Sequence, residues 1–132
     1  MALAAFDPYS GATFPRTGGT ADPLADAGGD LNKKRLIFTT EALVLQRKID
    51  FTVVAPKPLA TAPNGFTQGR RQIFVRFPML LANGLYTTNT ASIELAADIE
   101  NTDAQIQAMR DVIAQIVLNA SVAGFWNDLS VA

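Results

Sequence analysis

Residues 70–77 read R-R-Q-I-F-V-R-F, three arginines among four bulky apolar side chains. Isoleucine, valine and phenylalanine favour β structure. On a strand, successive side chains point to opposite faces of the sheet. One face of this strand would carry Arg70, Gln72, Phe74 and Arg76, and the other Arg71, Ile73, Val75 and Phe77. The stretch therefore predicts a strand with one basic, polar face and one largely apolar face.

The preceding segment repeats this alternation. Apolar side chains occupy odd positions from 45 to 53 and polar ones the even positions between them, with Arg47 as the exception; the polar set is Gln46, Lys48, Asp50 and Thr52. Residues 36–40 also favour β structure. Pro56 and Pro58 should end the strand, because proline lacks the N–H that a ladder needs, and residues 59–69 then form a loop. We expect antiparallel strands that join their polar residues into one cationic sheet surface.

The C-terminal segment predicts helices. Thr102 and Gln105 fit a capping box, and Asp103 favours the helix dipole. The apolar residues that follow recur at helical spacing and form one stripe of Ile106, Met109, Ile113, Ile116, Val117 and Ala120. The pattern predicts a helix over about residues 103–119. Ser121 is a candidate N-cap of a second, short helix over residues 122–129.

Two segments are less regular. Residues 1–30 hold five of the nine glycines and three of the seven prolines, which argues against a helix. The sequence T-G-G-T at 17–20 is a candidate hairpin tip, with a partly disordered arm as the alternative. Ala82-Asn83-Gly84 predicts a turn, residues 85–90 are expected to be extended, and Ile93 and Leu95 could continue a strand or begin a helix. We expect a single domain over 1–132: a hairpin or arm (1–30), an antiparallel sheet (31–100) and helices (101–132).

The charge is unevenly distributed, although the net charge is only −1. Residues 31–90 carry nine lysines and arginines against two acids, a net of +7, whereas residues 1–30 carry a net of −3 and residues 91–132 a net of −5. The basic middle could bind a polyanion, or it could neutralise the acidic ends within or between chains.

No run of eighteen apolar residues occurs, and the N-terminus does not resemble a signal peptide, so we expect no membrane partner.

The chain has no histidine and no cysteine, the commonest general base and the usual thiolate ligand. Acidic residues cluster at Glu94, Asp98, Glu100 and Asp103, but a solvated acidic face explains them better than a metal site does. We expect no enzymatic activity, no cofactor and no metal.

Cations on a sheet contact phosphates, and an aromatic such as Phe74 can stack on an unpaired base. The alternative is that the cations only keep an exposed sheet soluble.

The order of elements resembles that of the coat proteins of single-stranded RNA bacteriophages, the leviviruses. The matching stretches are T-G-G-T at 17–20, I-D-F-T-V-V-A-P-K at 49–57, R-R-Q-I-F-V-R-F-P at 70–78 and A-G-F-W-N-D-L at 123–129. The resemblance implies an α+β fold, an N-terminal β-hairpin and antiparallel sheet followed by two helices, in an interlocked dimer whose helices pack on the partner's sheet. The interface would contain Ile106, Met109, Ile113, Ile116 and Val117.

The resemblance also implies a function: dimers close an icosahedral shell around a single-stranded RNA genome, in a virion assembled in the cytoplasm of a bacterial host. The loop at 57–69 would change conformation around the symmetry axes. Alignment on Pro56 and Pro78 places Asp50, Thr52, Arg70 and Gln72 at the family's RNA-contacting positions. Lys48 and Arg76 are added because they share that face by parity, and Phe74 as the aromatic that can stack on a base, so the RNA contacts expected here are Lys48, Thr52, Arg70, Gln72, Phe74 and Arg76. In several members this face also binds one hairpin and represses replicase translation, although the acidic Asp50 argues against hairpin recognition here. The alternative is a small dimeric RNA- or DNA-binding regulator that forms no shell.

Overall fold

The computed structural model describes residues 19–129, which belong to two compact units, residues 19–100 and residues 101–129. The first is an antiparallel sheet of five strands, β1 (Leu24–Gly29), β2 (Lys33–Phe38), β3 (Lys48–Val54), β4 (Gly69–Leu80) and β5 (Tyr86–Ala97), which lie side by side in chain order. The second holds α1 (Asp103–Leu118) and α2 (Ala123–Asp128), joined by a 3₁₀ turn at Ala120–Val122. The predicted α+β fold, a sheet followed by two helices, is confirmed.

The longest pairing joins β4 and β5, in register from Gly69 opposite Ala97 to Leu80 opposite Tyr86. The turn between them lies where the sequence predicted it. Gly84 adopts a φ of 82°, which glycine tolerates without strain, and the Leu81 N–H donates to the carbonyl of Leu85 at 2.8 Å. The segment that the sequence left open is therefore a strand along most of its length.

The third strand starts later than the alternation predicted. Leu43–Leu45 form a 3₁₀ turn, and β3 begins only at Lys48. Gln46 precedes the strand, so the prediction that it belongs to this strand is wrong; its amide N–H donates to the carbonyl of Phe38 at 3.3 Å. The strand ends at Val54, before Pro56, as predicted.

Arg47, the exception in the alternation, lies just before β3 on the apolar side. Its guanidinium lies 4.1 Å from the centroid of the Phe38 ring and 5.3 Å from that of Phe77. The Glu41 carboxylate accepts hydrogen bonds from the backbone N–H and from the Nε of Arg47. The cation is thus neutralised and stacked on aromatic rings.

The two edges of the sheet differ. β1 has six residues, carries Asp26 and contains a bulge between Asp26 and Gly29. Gly29 has a φ of 154°, and a Cβ there would collide with the Lys33 carbonyl. β5 has twelve residues and an unbroken register, with Glu94 as its one charged residue and no proline. A bulge and a short length protect a strand edge from pairing, so among the strands of residues 19–129 the edge of β5 is the more open one.

The predicted hairpin tip at 17–20 falls largely outside the described residues. Thr17 and Gly18 precede them, and Gly19 and Thr20 lie outside the strands.

The helical unit begins as predicted. The Gln105 N–H donates to Thr102 Oγ1 at 3.3 Å, and the Thr102 N–H donates to Gln105 Oε1 at 2.9 Å, which completes the capping box. The prediction that Ser121 caps the second helix is wrong. Ser121 lies in the 3₁₀ turn and donates its own N–H to Asn119 Oδ1 at 2.7 Å, and the residue at the N-cap of α2 is Val122.

The loop between β3 and β4 is hydrogen-bonded rather than irregular. Pro58 and Phe66 form an isolated bridge, and the Leu59 N–H donates to the carbonyl of Gly65 at 2.8 Å. Asn64 Nδ2 donates to Asp98 Oδ1 at 2.6 Å, which ties the loop to the segment after β5. That this loop changes conformation around symmetry axes stays a prediction.

Candidate nucleic-acid interface

The pairing of β3 with β4 determines which side chains share a face. Lys48 lies opposite Arg76, and Thr52 lies opposite Gln72. Arg70 lies opposite Val54, two pairs further along, and therefore on the same face as Arg76. The register thus brings the six residues predicted for RNA binding onto one face; the sixth, Phe74, lies between Gln72 and Arg76.

β2 adds two cations that the sequence analysis did not place. Lys33 pairs with Thr52 and Arg35 pairs with Asp50, so both lie on the polar face. The predicted β region began at Leu36, where the apolar residues start. Extending the alternation backwards by three residues would have found both cations.

A three-residue ion network lies at the centre of this face. Arg35 donates from Nε to Asp50 Oδ1 at 2.6 Å and from Nη2 to Oδ2 at 3.1 Å. Arg76 Nη1 donates to the same Oδ2. The Asp50 side chain is 17% exposed, against 44% for Arg35 and 37% for Arg76, so the carboxylate lies below the two guanidinium groups.

This network changes the protonation of its members. The hydrogen bond from Arg35, helped by that from Arg76, holds the pKa of Asp50 below its usual value, although partial burial opposes the shift. The same hydrogen bond raises the pKa of Arg35. Asp50 therefore stays ionised across the neutral and mildly acidic range.

Phe74 is half-buried, and Arg76 stacks on it. The guanidinium carbon lies 4.5 Å from the ring centroid. Arg76 therefore occupies one of the two ring faces that a base could have used. Because bases also stack on guanidinium planes, the pair still offers a stacking surface.

Several polar side chains of this face are available to a ligand. Within residues 19–129, no hydrogen bond or ion pair engages the side chains of Lys33, Lys48, Thr52 or Gln72. An open groove of about 600 Å³ is lined by Lys33, Arg35, Asp50, Thr52, Gln72, Phe74 and Arg76, among others.

The outer strand contributes one acid. Register with β4 places Thr90, Ser92 and Glu94 on the polar face. Glu94 Oε1 lies 3.9 Å from Arg70 Nε, and both side chains are well exposed. On strands β2 to β5 the polar face thus carries a net charge of +3, from Lys33, Arg35, Lys48, Arg70 and Arg76 against Asp50 and Glu94.

The opposite face is apolar and largely uncovered. Five of its large side chains are 38–49% exposed, namely Phe51, Val53, Ile73, Phe77 and Ile93, while Ile49, Val75 and Leu95 are intermediate. Lys34, opposite Phe51, and Arg71, opposite Val53, are cations on the same face. Globular domains seldom expose an apolar patch of this extent unless it contacts a partner.

The predicted interface stripe on α1 is also exposed. Met109 is 37%, Ile113 41% and Val117 43% exposed, while Ile106 and Ile116 are intermediate. The buried residue of this helix is Gln115, two positions from Ile113 and hence about 200° around the helix axis. The apolar stripe is therefore not the side of the helix that the chain buries.

The acidic residues at 94–103 do not form a metal site. Among the described residues, no group of three or more carboxylates lies close enough together to hold an ion. Neither helix of the 19–129 region combines the length and apolar character that spanning a bilayer requires.

No family model and no curated protein matches the sequence. Solved structures do match the fold. The chain superimposes on a chain of the virus-like particle of bacteriophage GQ-907 with a TM-score of 0.86 and 20% identity, covering 99% of this chain and 100% of the other. The match to a chain of the virus-like particle of bacteriophage ESE058 has a TM-score of 0.68 and 12% identity, and it covers 84% of this chain and 88% of the other. The match to a chain of the virus-like particle of Beihai levi-like virus 21 has a TM-score of 0.66 and 12% identity, and it covers 88% of this chain and 91% of the other. The resemblance drawn from the sequence is thus confirmed for the fold: the chain has the levivirus-type coat-protein fold.

Proposed function

We propose that this chain is a capsid protein that assembles as dimers into an icosahedral shell and packages single-stranded RNA on the polar face of its sheet. One observation carries the proposal. A single sheet has a cationic, solvent-facing side and an apolar side left exposed, and α1 carries a second exposed apolar surface. The matching folds come from virus-like particles, which supports assembly.

The dimer follows from the two exposed apolar surfaces. Fully burying a large apolar side chain contributes about 1.5–3 kcal/mol. Because the five side chains of the sheet's apolar face are each about two-fifths exposed, covering them contributes roughly 3–6 kcal/mol. A partner's α1, with Met109, Ile113 and Val117 exposed at helical spacing, has the matching apolar stripe. The open β5 edge lets two copies join their sheets.

RNA binding follows from the charge of the other face. Five cations and two acids leave it positive, and the groove is lined by Lys33, Thr52 and Gln72, whose side chains have no partner within residues 19–129. Contacts of this kind neutralise phosphates, so the affinity should fall as salt rises. A face that also bound one hairpin of its own genome would add translational repression, and competition between that hairpin and mixed RNA would reveal such a preference.

The two arginines that open the strand provide a matched test. Arg70 lies on the polar face and Arg71, next to it, on the apolar face. The full-length chain is expressed, and particles are purified by size exclusion, imaged by electron microscopy and assayed for nuclease-protected RNA. Arg70→Ala should lower the RNA content per particle and reduce the salt slope of binding by about one, whereas Arg71→Ala should leave the RNA content per particle unchanged.

The outcomes separate the alternatives. Large particles that protect RNA support the proposal. A stable dimer that binds nucleic acid without forming particles identifies a small regulatory protein instead. Equal RNA loss from both variants would show that the polar face is not the binding surface.

A further inference from the structure

The acidic residue at the centre of the cationic face calls for an explanation. A carboxylate repels phosphate, and it weakens a phosphate-binding surface when it is considered alone. Asp50, however, accepts hydrogen bonds from two arginines on two different strands, Arg35 on β2 and Arg76 on β4. Both guanidinium groups reach the same oxygen, Oδ2, and are therefore held next to each other.

The accessibility of the network favours a supporting role for the acid. The carboxylate is 17% exposed and lies beneath guanidinium groups that are 44% and 37% exposed. An approaching polyanion meets the arginines first. Arg76 is additionally held by the ring of Phe74, so it is fixed from two directions.

The network also leaves donors available. An arginine has five N–H donors. Arg35 uses one on Nε and one on Nη2 for Asp50, and Arg76 uses one on Nη1. The remaining donors of the pair border the open groove, where Lys33 also lies. Two adjacent guanidinium groups match a phosphate, whose oxygens accept paired hydrogen bonds.

We propose that Asp50 is a positioning residue for phosphate: it holds Arg35 and Arg76 as a preformed pair that binds the RNA backbone. This inference rests on the proposed RNA-binding function. Without Asp50, two long side chains would have to be ordered when RNA binds, which costs affinity for each side chain immobilised. Removing this negative charge should therefore weaken binding, the opposite of what net charge predicts.

Glu94 provides the matched control. It lies on the same face, but its contact with Arg70 is a long one between exposed side chains. Asp50→Asn and Glu94→Gln each raise the charge of the face by one. Binding of a short labelled oligouridylate to the unassembled full-length chain is measured by fluorescence anisotropy over a salt series. Glu94→Gln should tighten binding, whereas Asp50→Asn should weaken it roughly fivefold.

A second variant tests the geometry without changing the charge. Arg35→Lys keeps the cation but loses the two-pronged contact with Asp50. It should weaken binding in the wild-type background and have little effect in the Asp50→Asn background. If Asp50→Asn does not fold, the test is the oligouridylate affinity of Arg35→Lys in the wild-type background. An affinity equal to that of the wild type then overturns the proposal.

The results distinguish the two levels of inference. If Asp50→Asn tightens binding as Glu94→Gln does, Asp50 merely neutralises the arginines; the positioning role is then wrong and RNA binding by the face stands. If the wild-type chain does not bind the oligouridylate, or binds it without any response to salt or to Arg70→Ala, the RNA-binding function itself is wrong.

Discussion

Replacing Ile113 by aspartate should abolish the proposed dimer while leaving α1 folded. Ile113 lies on the exposed apolar stripe and is 41% exposed in the single chain. Losing the burial of that exposed part removes about 1 kcal/mol per copy. A charge left without a partner in an apolar contact costs about 3–5 kcal/mol more. The sum is about 4–6 kcal/mol per copy and about 8–12 kcal/mol for a symmetric pair, close to the whole binding free energy of a nanomolar complex, about 12 kcal/mol.

The assay compares this variant with Ala108→Asp. Ala108 lies on the same helix about 140° away from Ile113 and is exposed. Both proteins are examined by circular dichroism for helix content and by size exclusion with light scattering for mass. Ile113→Asp should give monomers or no particles, and Ala108→Asp should assemble as the wild type does. Normal particles from Ile113→Asp, with helix content retained, would refute the argument that this stripe is an interface.

Three further changes test other parts of the structure. Arginine hydrogen bonds lower the pKa of Asp50, so the ionised carboxylate stabilises the folded chain at any pH above the pKa that Asp50 has in the unfolded chain. This stabilisation is lost as the pH falls through the pKa of Asp50 in the folded chain. The melting temperature should therefore drop more below about pH 4 for the wild type than for Asp50→Asn. Gly29→Ala should destabilise the sheet by about 1–3 kcal/mol or more, because the new Cβ meets the Lys33 carbonyl at a positive φ; urea unfolding measures this, and an unchanged midpoint would contradict the bulge geometry. Thr102→Ala should cost about 1 kcal/mol by removing the N-cap, whereas Thr102→Ser should not; equal denaturation midpoints for the two variants would show that the cap contributes nothing.

The sequence predicted those parts of the fold in which a local residue pattern is compatible with only one type of secondary structure. The period of two over residues 48–54 and 70–77 identified the faces of β3 and β4, and Thr102 with Gln105 located the start of α1. The strand β5 was predicted only in part: residues 85–90 were expected to be extended, but the continuation through Ile93 and Leu95 stayed open because this segment alternates weakly. Its extended conformation is stabilised by pairing with β4, a partner that periodicity does not reveal.

The sequence predicted which of these side chains share one sheet face, but it did not predict the ion network at the centre of that face. The shared face of Arg70 and Arg76 follows from parity alone. The network of Asp50 depends on register, since its two arginine partners come from strands on either side of it. In the sequence, Asp50 is an isolated acid that does not suit an RNA-binding surface. In the fold, it accepts hydrogen bonds from Arg35 and Arg76.

The unequal edges of the sheet limit how many copies can add to it. A sheet with two open edges can accept a neighbour on each side and grow without limit into a fibril. Here β1 is short and bulged, while β5 is long and regular, so among the described strands one edge of each copy is suited to pairing. In the proposed dimer, two copies that pair through β5 use up both of these edges, and the described strands of the two copies form one sheet of ten. Further growth of such a unit must use other surfaces and can curve into a closed particle.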